Sequence, residues 1–185
     1  MKRLLTTLAF AATFAPAAHA VVYTQVQPDK SGIEFSYSQM GVPMDGRFRK
    51  FSSQLSFDPA QPAAARVAID VDLASIDTGT PELDTEAAGK DWFNLKSFPT
   101  ARFAATGVKP LSGNRYSVAG KLTIKGRAKD IVVPATFTAQ GNSGVFAGQF
   151  TIRRGDFAIG EGAWSAFDIV ANDVTVKFRV TASGK

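Results

Sequence analysis

Residues 67–73 read Val-Ala-Ile-Asp-Val-Asp-Leu, and every second side chain in this stretch is a branched aliphatic one. Such alternation places the aliphatic side chains on one face of a β-strand and the aspartates on the other. The same period of two recurs at residues 33–37, 51–57, 116–124, 131–137, 146–152 and 174–180, with turn-forming clusters between the runs. The sequence therefore predicts an all-β chain of seven or eight short antiparallel strands, arranged as a sandwich or a barrel.

Two segments depart from this alternation. Phe48 has the opposite parity to Phe51, which predicts a β-bulge at residues 49–50 within one strand. Residues 82–93 contain few β-branched side chains, and their apolar residues fit one side of a helix. Pro81 suits the first turn of such a helix. We therefore predict one short helix near Glu82–Phe93, of the kind that covers an open end of a barrel.

Residues 1–20 have the three parts of a secretory signal peptide. Two basic residues follow the initial methionine, residues 4–15 form an apolar run, and residues 18–20 (Ala-His-Ala) are a small-x-small cleavage site. The apolar run is too short to span a bilayer as a helix. The sequence therefore predicts a cleaved leader and a single domain at residues 21–185, located in the periplasm and without a stable membrane anchor.

The composition excludes much of catalytic chemistry. The single histidine, His19, lies in the predicted leader, and the chain has no cysteine. The commonest general base at neutral pH, the commonest nitrogen ligand of metals and every thiol nucleophile are therefore missing from the predicted domain. Without the leader, 19 basic and 16 acidic residues leave a net charge of +3, which is too small to predict a nucleic-acid partner. We expect a protein that is not an enzyme and holds no cofactor and no metal.

Three short strings resemble catalytic or cofactor motifs. Residues 77–79 (Asp-Thr-Gly) have the form in which aspartic proteases present a carboxylate, but those enzymes need two aspartates that share a proton. One copy would act only in a homodimer, so we interpret the string as a strand end entering a polar turn. Asp70 and Asp72 share the outer side of a strand, and we expect them to face solvent. Residues 160–162 (Gly-Glu-Gly) lack the rest of a dinucleotide fingerprint and predict a turn.

The aromatic residues carry the main functional inference. Thirteen of the fifteen phenylalanines lie in residues 21–185. They are more than a plain eight-stranded barrel needs to fill itself, and they suit a barrel that is apolar inside but not filled. A solid barrel whose outer surface binds another protein gives the same alternation and remains the alternative. The candidate ligand-binding wall residues, chosen by parity and bulk, are Phe35, Tyr37, Phe48, Phe51, Leu55, Trp92, Phe93, Phe103, Phe150 and Phe157.

Basic residues cluster in two places. One interpretation is solvated barrel surface, and the other is a positive rim at a pocket mouth that receives a phosphate or carboxylate head group. The candidate head-group residues are Arg47, Arg49, Lys50, Arg153 and Arg154.

Several short motifs follow one another along nearly all of residues 21–185. They are Gly46-Arg47-Phe48, Phe57-Asp58-Pro59, Ser75-Ile76-Asp77-Thr78, Asp91-Trp92-Phe93, Phe98-Pro99-Thr100-Ala101-Arg102-Phe103, Gly120-Lys121-Leu122-Thr123-Ile124-Lys125-Gly126 and Asp156-Phe157-Ala158-Ile159-Gly160 before Trp164. Their order resembles that of the YceI-like family, the lipocalin-like polyisoprenoid-binding domain of bacterial periplasms. The family's histidines near both ends of the first long strand are absent here.

The resemblance implies an extended antiparallel lipocalin-like β-barrel with one short helix. It further implies a periplasmic carrier that holds a long apolar chain, such as a polyisoprenoid, a quinone or a fatty-acid derivative, without catalysis. A homodimer is compatible with the sequence, and a nucleic-acid partner is not expected.

Overall fold

The computed structural model describes residues 21–185, and the predicted leader at residues 1–20 lies outside them. The described residues form one antiparallel sheet of eleven strands and one α-helix. The strand count exceeds the predicted seven or eight. Two strands have only four and two residues and carry too little alternation to be recognised. In the strands at residues 42–48 and 100–110, proline, glycine and alanine weaken the alternation. The elements are β1 (Tyr23–Val26), β2 (Gly32–Gln39), β3 (Val42–Phe48), β4 (Phe51–Ser56), β5 (Arg66–Asp72), β6 (Ile76–Asp77), α1 (Pro81–Ala88), β7 (Thr100–Pro110), β8 (Arg115–Ile124), β9 (Arg127–Gln140), β10 (Ser143–Arg153) and β11 (Asp173–Gly184).

The sheet curls into a barrel that the first strand closes at one end. Its strand order is β4-β5-β7-β8-β9-β10-β11-β2-β3-β6, with β1 paired to β11 beside this path. At the other side of β1, the Tyr23 amide donates to the Phe57 carbonyl at 2.9 Å, and the Phe57 amide donates to the Tyr23 carbonyl at 3.1 Å. β1 therefore joins β11 to the end of β4. This confirms the extended antiparallel β-barrel with one short helix.

The alternation of β5 sorts its side chains as expected. Ile69 and Val71 face the interior of the barrel, where they line a cavity. Asp70 lies on the outer face, where Arg102 of β7 donates to both of its carboxylate oxygens at 2.8 and 2.6 Å. Asp72 accepts from the Ala74 amide at 3.0 Å and caps a short 3₁₀ turn. These two aspartates thus have structural partners outside the barrel interior.

Helix α1 is shorter than predicted. The Thr80 hydroxyl accepts from the Leu83 amide at 3.4 Å and Pro81 occupies the first turn, as the sequence pattern indicates. The helix ends at Ala88 because Gly89 adopts an extended conformation with ψ of 168°. The segment up to Phe93 continues as turns, so the predicted end of the helix is wrong by five residues. No helix in the described part of the chain is both long and apolar enough to cross a bilayer.

The predicted bulge at residues 49–50 is a break between two strands. The amide of Arg49 donates to the Ser75 carbonyl at 3.0 Å, and the amide of Lys50 donates to the Ser75 hydroxyl at 2.9 Å. The chain thereby leaves β3, which pairs with β2 and β6, and enters β4, which pairs with β5. The change of parity at Phe48 therefore marks a change of strand.

Two hydrophobic clusters occupy the ends of the barrel. The first, called here the helix-end cluster, consists of Leu73, Ala101, Leu122, Ile124, Ile152, Phe157 and Ile159, with Trp92 and Phe93 packed against it. The second, called here the aromatic plug, consists of Tyr23, Phe57, Phe137 and Ala182, with Tyr116 and Phe146 packed against it. The rings of the plug lie 4.9–5.3 Å apart between centroids, a spacing typical of favourable aromatic pairs.

Candidate functional site

An apolar cavity of about 280 Å³ extends from the helix-end cluster to residues packed against the aromatic plug. Its volume lies near the lower end of the roughly 300–1,000 Å³ range of small-molecule pockets. Inward side chains of nearly every strand and one face of α1 form its wall. β5 contributes Val67, Ile69 and Val71, and β11 contributes Val174, Val176, Phe178 and Val180. Such a wall removes an apolar molecule from water and offers it few hydrogen bonds.

The cavity brings together eight of the ten predicted wall residues. These are Phe35, Tyr37, Phe48, Leu55, Trp92, Phe93, Phe103 and Phe150. Phe51 and Phe157 do not line the cavity, and for these two the structure departs from the prediction. Phe157 is 2% exposed and is packed inside the helix-end cluster. Phe51 stands at the first position of β4, opposite Val71, where the strand has only just entered the sheet.

The prediction missed the aliphatic part of the wall. Ile33 shares the parity of Phe35 and Tyr37 on β2, Val174 and Val176 lie on one face of β11, and all three line the cavity. The prediction favoured bulky aromatic side chains and therefore omitted these residues. The alternation of β2 and β11 is sufficient to identify them. Leu83 and Ala87 on α1 also belong to the wall. Their position depends on how α1 packs on the barrel, which local periodicity does not specify.

Polar side chains are few in this wall. Tyr37 and Gln39 come from β2, Thr78 and Glu86 from the region of α1, and Ser53 and Gln54 from the edge strand β4. The pKa of the Tyr37 hydroxyl is raised by burial. Its surroundings therefore disfavour a negative charge at that position.

The two tryptophans of the chain both line the cavity. Their ring centroids lie 5.7 Å apart, and the indole N–H of Trp164 donates to the Glu86 Oε1 at 2.7 Å. Within the described residues, the buried indole N–H of Trp92 has no hydrogen-bond partner. Trp164 thus connects the loop between β10 and β11 to helix α1 at one end of the cavity.

The predicted head-group role of Arg154 is wrong. Arg154 lines the cavity but is only 1% exposed, and its pKa is lowered by burial. Its guanidinium donates, at 2.7–3.3 Å, to the backbone carbonyl oxygens of Ile159, Gly160, Trp164, Ala166, Val170 and Ala171. These bonds engage all three guanidinium nitrogens. Arg154 therefore organises the loop that follows it, and its donors are not available to a ligand.

Arg47 and Arg49 both form ion pairs with Asp77. Arg47 Nε and Arg49 Nη2 each lie 2.8 Å from Asp77 Oδ2. Hydrogen bonds from Arg49 and Arg47 lower the pKa of Asp77 to about 2. The carboxylate therefore stays ionised at neutral pH, which is unlike a proton-sharing catalytic dyad. The Asp77-Thr78-Gly79 string is a strand end held by two arginines.

The structure does not assemble the predicted positive rim. Lys50 and Arg153 are exposed, and neither they nor Arg47 and Arg49 line the cavity. Sequence spacing alone placed these five basic residues in one group. The fold instead exposes four of them on the outside of the barrel and surrounds Arg154 with carbonyl oxygens.

The string at residues 160–162 forms a tight turn. Gly160 has a φ of 74° and Gly162 a φ of 59°, a region that favours glycine. A Cβ atom at Gly160 would collide with the Arg154 guanidinium. The glycine is therefore needed for close approach of the loop to Arg154, as expected for a turn rather than a phosphate-binding loop.

Comparison with known proteins agrees with this architecture. The model of the YceI-like domain matches residues 24–182. A UPF0312 protein from Azotobacter vinelandii is 32% identical over 146 residues, which cover 76% of each chain. The crystal structure of Burkholderia cenocepacia BcnA is similar, with a TM-score of 0.84 and 41% identity over 86% of this chain and 100% of that one.

A second solved structure is more distant in sequence. It is described as a polyisoprenoid binding domain from Saccharophagus degradans implicated in plant cell wall breakdown. It has a TM-score of 0.71 and 15% identity, and the match covers 89% of this chain and 99% of that one. At this identity the likeness shows the fold alone. Together with the family match and the closer relatives, these findings establish that the chain belongs to the YceI-like family.

Proposed function

We propose that this protein is a periplasmic carrier that holds one long apolar molecule in its barrel and performs no catalysis. The ligand class is a polyisoprenoid, a quinone or a fatty-acid derivative. The observation that carries the proposal is the apolar cavity, which continues from the helix-end cluster to the aromatic plug. An elongated tail fits such a space, whereas a compact polar metabolite finds few partners there.

Burial of the tail supplies the driving force. A tail that loses about 500 Å² of apolar surface gains on the order of 12 kcal/mol before the costs of binding. Immobilising a flexible chain and a free molecule removes much of this gain. An aliphatic wall also discriminates weakly between tails that differ by one methylene. The affinity therefore depends on tail bulk more than on tail identity.

Two further observations support the proposal. The Saccharophagus degradans domain of the same fold is described as polyisoprenoid-binding. The sequence of residues 1–20 has the parts of a secretory leader, which favours a location outside the cytoplasm. The solid-barrel alternative is disfavoured by the cavity, because a filled interior leaves no room along the barrel axis.

The two tryptophans in the wall allow a direct test. We expect titration with an uncharged isoprenoid quinone or alcohol to change the tryptophan fluorescence saturably, at one ligand per chain. Native mass spectrometry of protein purified gently from the producing cell should show the mass of a bound lipid. A clean apo mass, together with no uptake of added lipid, contradicts the carrier function and favours the solid barrel.

A matched pair of variants locates the ligand. Ala135 lines the cavity, and Thr136 is exposed on the outer face of the same strand. We expect Ala135→Leu to weaken binding because the added side chain occupies the cavity, and Thr136→Leu to leave it unchanged. Equal effects of the two substitutions would place the ligand outside the barrel.

A further inference from the structure

One end of the cavity carries polar side chains from three different elements. Gln39 of β2 pairs with Val170 of the loop between β10 and β11. In the same loop, Trp164 donates to Glu86 of α1 at 2.7 Å. Gln39, Val170, Trp164 and Glu86 all line the cavity. This chain of contacts places the Gln39 amide and the Glu86 carboxylate around one end, which we call the polar end.

Toward the opposite end the wall formed by the described residues carries no charged side chain, and its polar groups on β4 are the neutral Ser53 and Gln54. There the wall approaches the aromatic plug, and the residues that line it on β10 and β11 are Phe146 and Val180. A ligand with one polar head and one apolar tail therefore meets a charged hydrogen-bond acceptor only when its head lies at the polar end and its tail points to the plug.

Of the two charged side chains at the polar end, Arg154 and Glu86, only Glu86 can interact directly with a ligand. Arg154 directs its donors to six carbonyl oxygens, whose dipoles oppose the field of the guanidinium. Glu86 is exposed, and within the described residues it forms no ion pair. Only one of its oxygens receives the Trp164 indole N–H. The charge that a ligand head meets directly is therefore negative.

The neighbouring wall adds to this asymmetry. Tyr37 lies two residues before Gln39 on β2, and burial raises the pKa of its hydroxyl. The same low polarity that disfavours a phenolate there disfavours a phosphate or carboxylate of a ligand. A neutral hydroxyl faces no such penalty and finds acceptor oxygens on Glu86 and Gln39. An ammonium group is also a charge, but the Glu86 carboxylate attracts it and repels an anion.

We propose that the polar end selects long-chain ligands with an uncharged or cationic, hydrogen-bond-donating head group, an alcohol, a phenol or an amine, over ligands with an anionic head. Glu86 is the residue that determines this preference. The inference rests on the proposed function, since it assigns the orientation and head-group class of a ligand in the same cavity. It also replaces the positive rim expected from the sequence with an acidic one.

Three probes with the same tail test the preference. Geranylgeranylamine, geranylgeraniol and geranylgeranyl phosphate differ only in head group, and each is titrated below its aggregation threshold while tryptophan fluorescence is recorded. We expect the amine and the alcohol to bind at least about tenfold more tightly than the phosphate at low salt. Added salt should narrow the difference between amine and phosphate because charge contributes to it.

Substitutions of α1 identify the responsible residue. Glu86→Gln keeps the size of the side chain and an acceptor for the Trp164 indole, but it removes the charge. We expect Glu86→Gln to reduce the ratio of the affinities for the amine and the phosphate several-fold, and to leave the affinity for the alcohol nearly unchanged. Glu82→Gln removes an equal charge from the exposed first turn of the same helix, outside the cavity wall. This control should leave the ratio of the amine and phosphate affinities unchanged.

The outcomes separate this inference from the proposed function. Equal affinity for all three probes, or tightest binding of the phosphate, overturns the head-group preference and leaves the carrier function supported. If Glu86→Gln leaves the ratio of the amine and phosphate affinities unchanged, Glu86 does not determine the preference. Failure of all three probes to bind overturns the carrier function and the inference with it.

Discussion

The ring of Phe35 occupies the space that a side chain at Gly46 would need on the neighbouring strand. The two residues are direct partners in the β2–β3 pair, and a Cβ atom at Gly46 would lie 2.7 Å from Phe35 Cε2 and 2.9 Å from Cε1. Phe103 stands in the same way against Gly120, and Phe178 against Gly148. Glycine on one strand thus allows an aromatic ring on the next to lie against the wall. The barrel carries many rings and still keeps a cavity.

Gly46→Ala should therefore displace the Phe35 ring into the cavity. We expect a loss of about 1–3 kcal/mol in the free energy of unfolding, as for other overpacked sites, and weaker binding of an isoprenoid alcohol. Urea denaturation and fluorescence titration measure the two effects. Gly32→Ala on β2 is the matched control, because a Cβ atom there meets nothing within 4 Å. Identical behaviour of the two variants would contradict the packing role of Gly46.

Arg154→Met should destabilise the barrel strongly. The substitution keeps an apolar stem but leaves carbonyl oxygens of the following loop without their donor, each at a cost of about 1–3 kcal/mol when it stays buried. We expect a loss of more than about 3 kcal/mol in the free energy of unfolding, measured by urea denaturation. Arg153→Met, one residue earlier and exposed, should change it by less than about 0.5 kcal/mol. A mild effect of Arg154→Met would show that water replaces the guanidinium.

Asp77 should make stability depend on pH in the acid range. Its pKa falls from 3.8 to about 2 on folding, mainly through hydrogen bonds from Arg49 and Arg47. The unfolded chain therefore binds more protons than the folded one between these values, and this contribution, fully present above about pH 4, is lost as the pH falls towards 2.

Thermal unfolding of Asp77→Asn should accordingly show a weaker decline from pH 4 to pH 2 than the unsubstituted protein. Asp130→Asn serves as the control. Asp130 pairs with Lys121 at 2.8 Å, but its side chain is 84% exposed, and an exposed ion pair contributes little to stability. Its acid profile should therefore match that of the unsubstituted protein. Parallel acid profiles of the unsubstituted protein and Asp77→Asn would show that the two arginines do not hold the carboxylate in solution.

Ligand affinity should be nearly constant between about pH 6 and 8 when the probe is uncharged. Residues 21–185 contain no histidine and no cysteine, and the pKa values of Asp77 and Tyr37 are shifted away from this range. A quinone or an isoprenoid alcohol is the suitable probe, since a phosphate ionises near about pH 6 itself. A tenfold change across this window would reveal a perturbed carboxylate in the wall.

Alternation in the sequence predicted the barrel well because burial on one face imposes a period of two. It also placed Phe35, Phe103 and Phe150 on the wall. It did not predict that β3 and β4 separate at residue 49, because a change of parity looks the same at a bulge and at a break. The end of α1 was misplaced because Gly89 decides it through backbone conformation rather than through side-chain pattern.

The basic residues show where sequence reasoning fails. Arg153 and Arg154 are adjacent and chemically identical, yet one is exposed and the other is buried. Their difference arises from the loop at residues 159–171, whose carbonyl oxygens converge on Arg154. Such convergence is a property of the tertiary fold and leaves no local pattern. The acidic character of the polar end was missed for the same reason, since Glu86 reaches the cavity only through the packing of α1.

The closure of the barrel by β1 has a consequence for the order of folding. Tyr23 pairs with Gly184 at one side and with Phe57 at the other, so the earliest strand of the described chain finds its main partner in the last. Contacts so distant along the sequence form slowly, because a long loop must be closed before they stabilise anything. A nascent chain without β11 leaves the aromatic plug uncovered. The native barrel is therefore reached only after β11 has been synthesised.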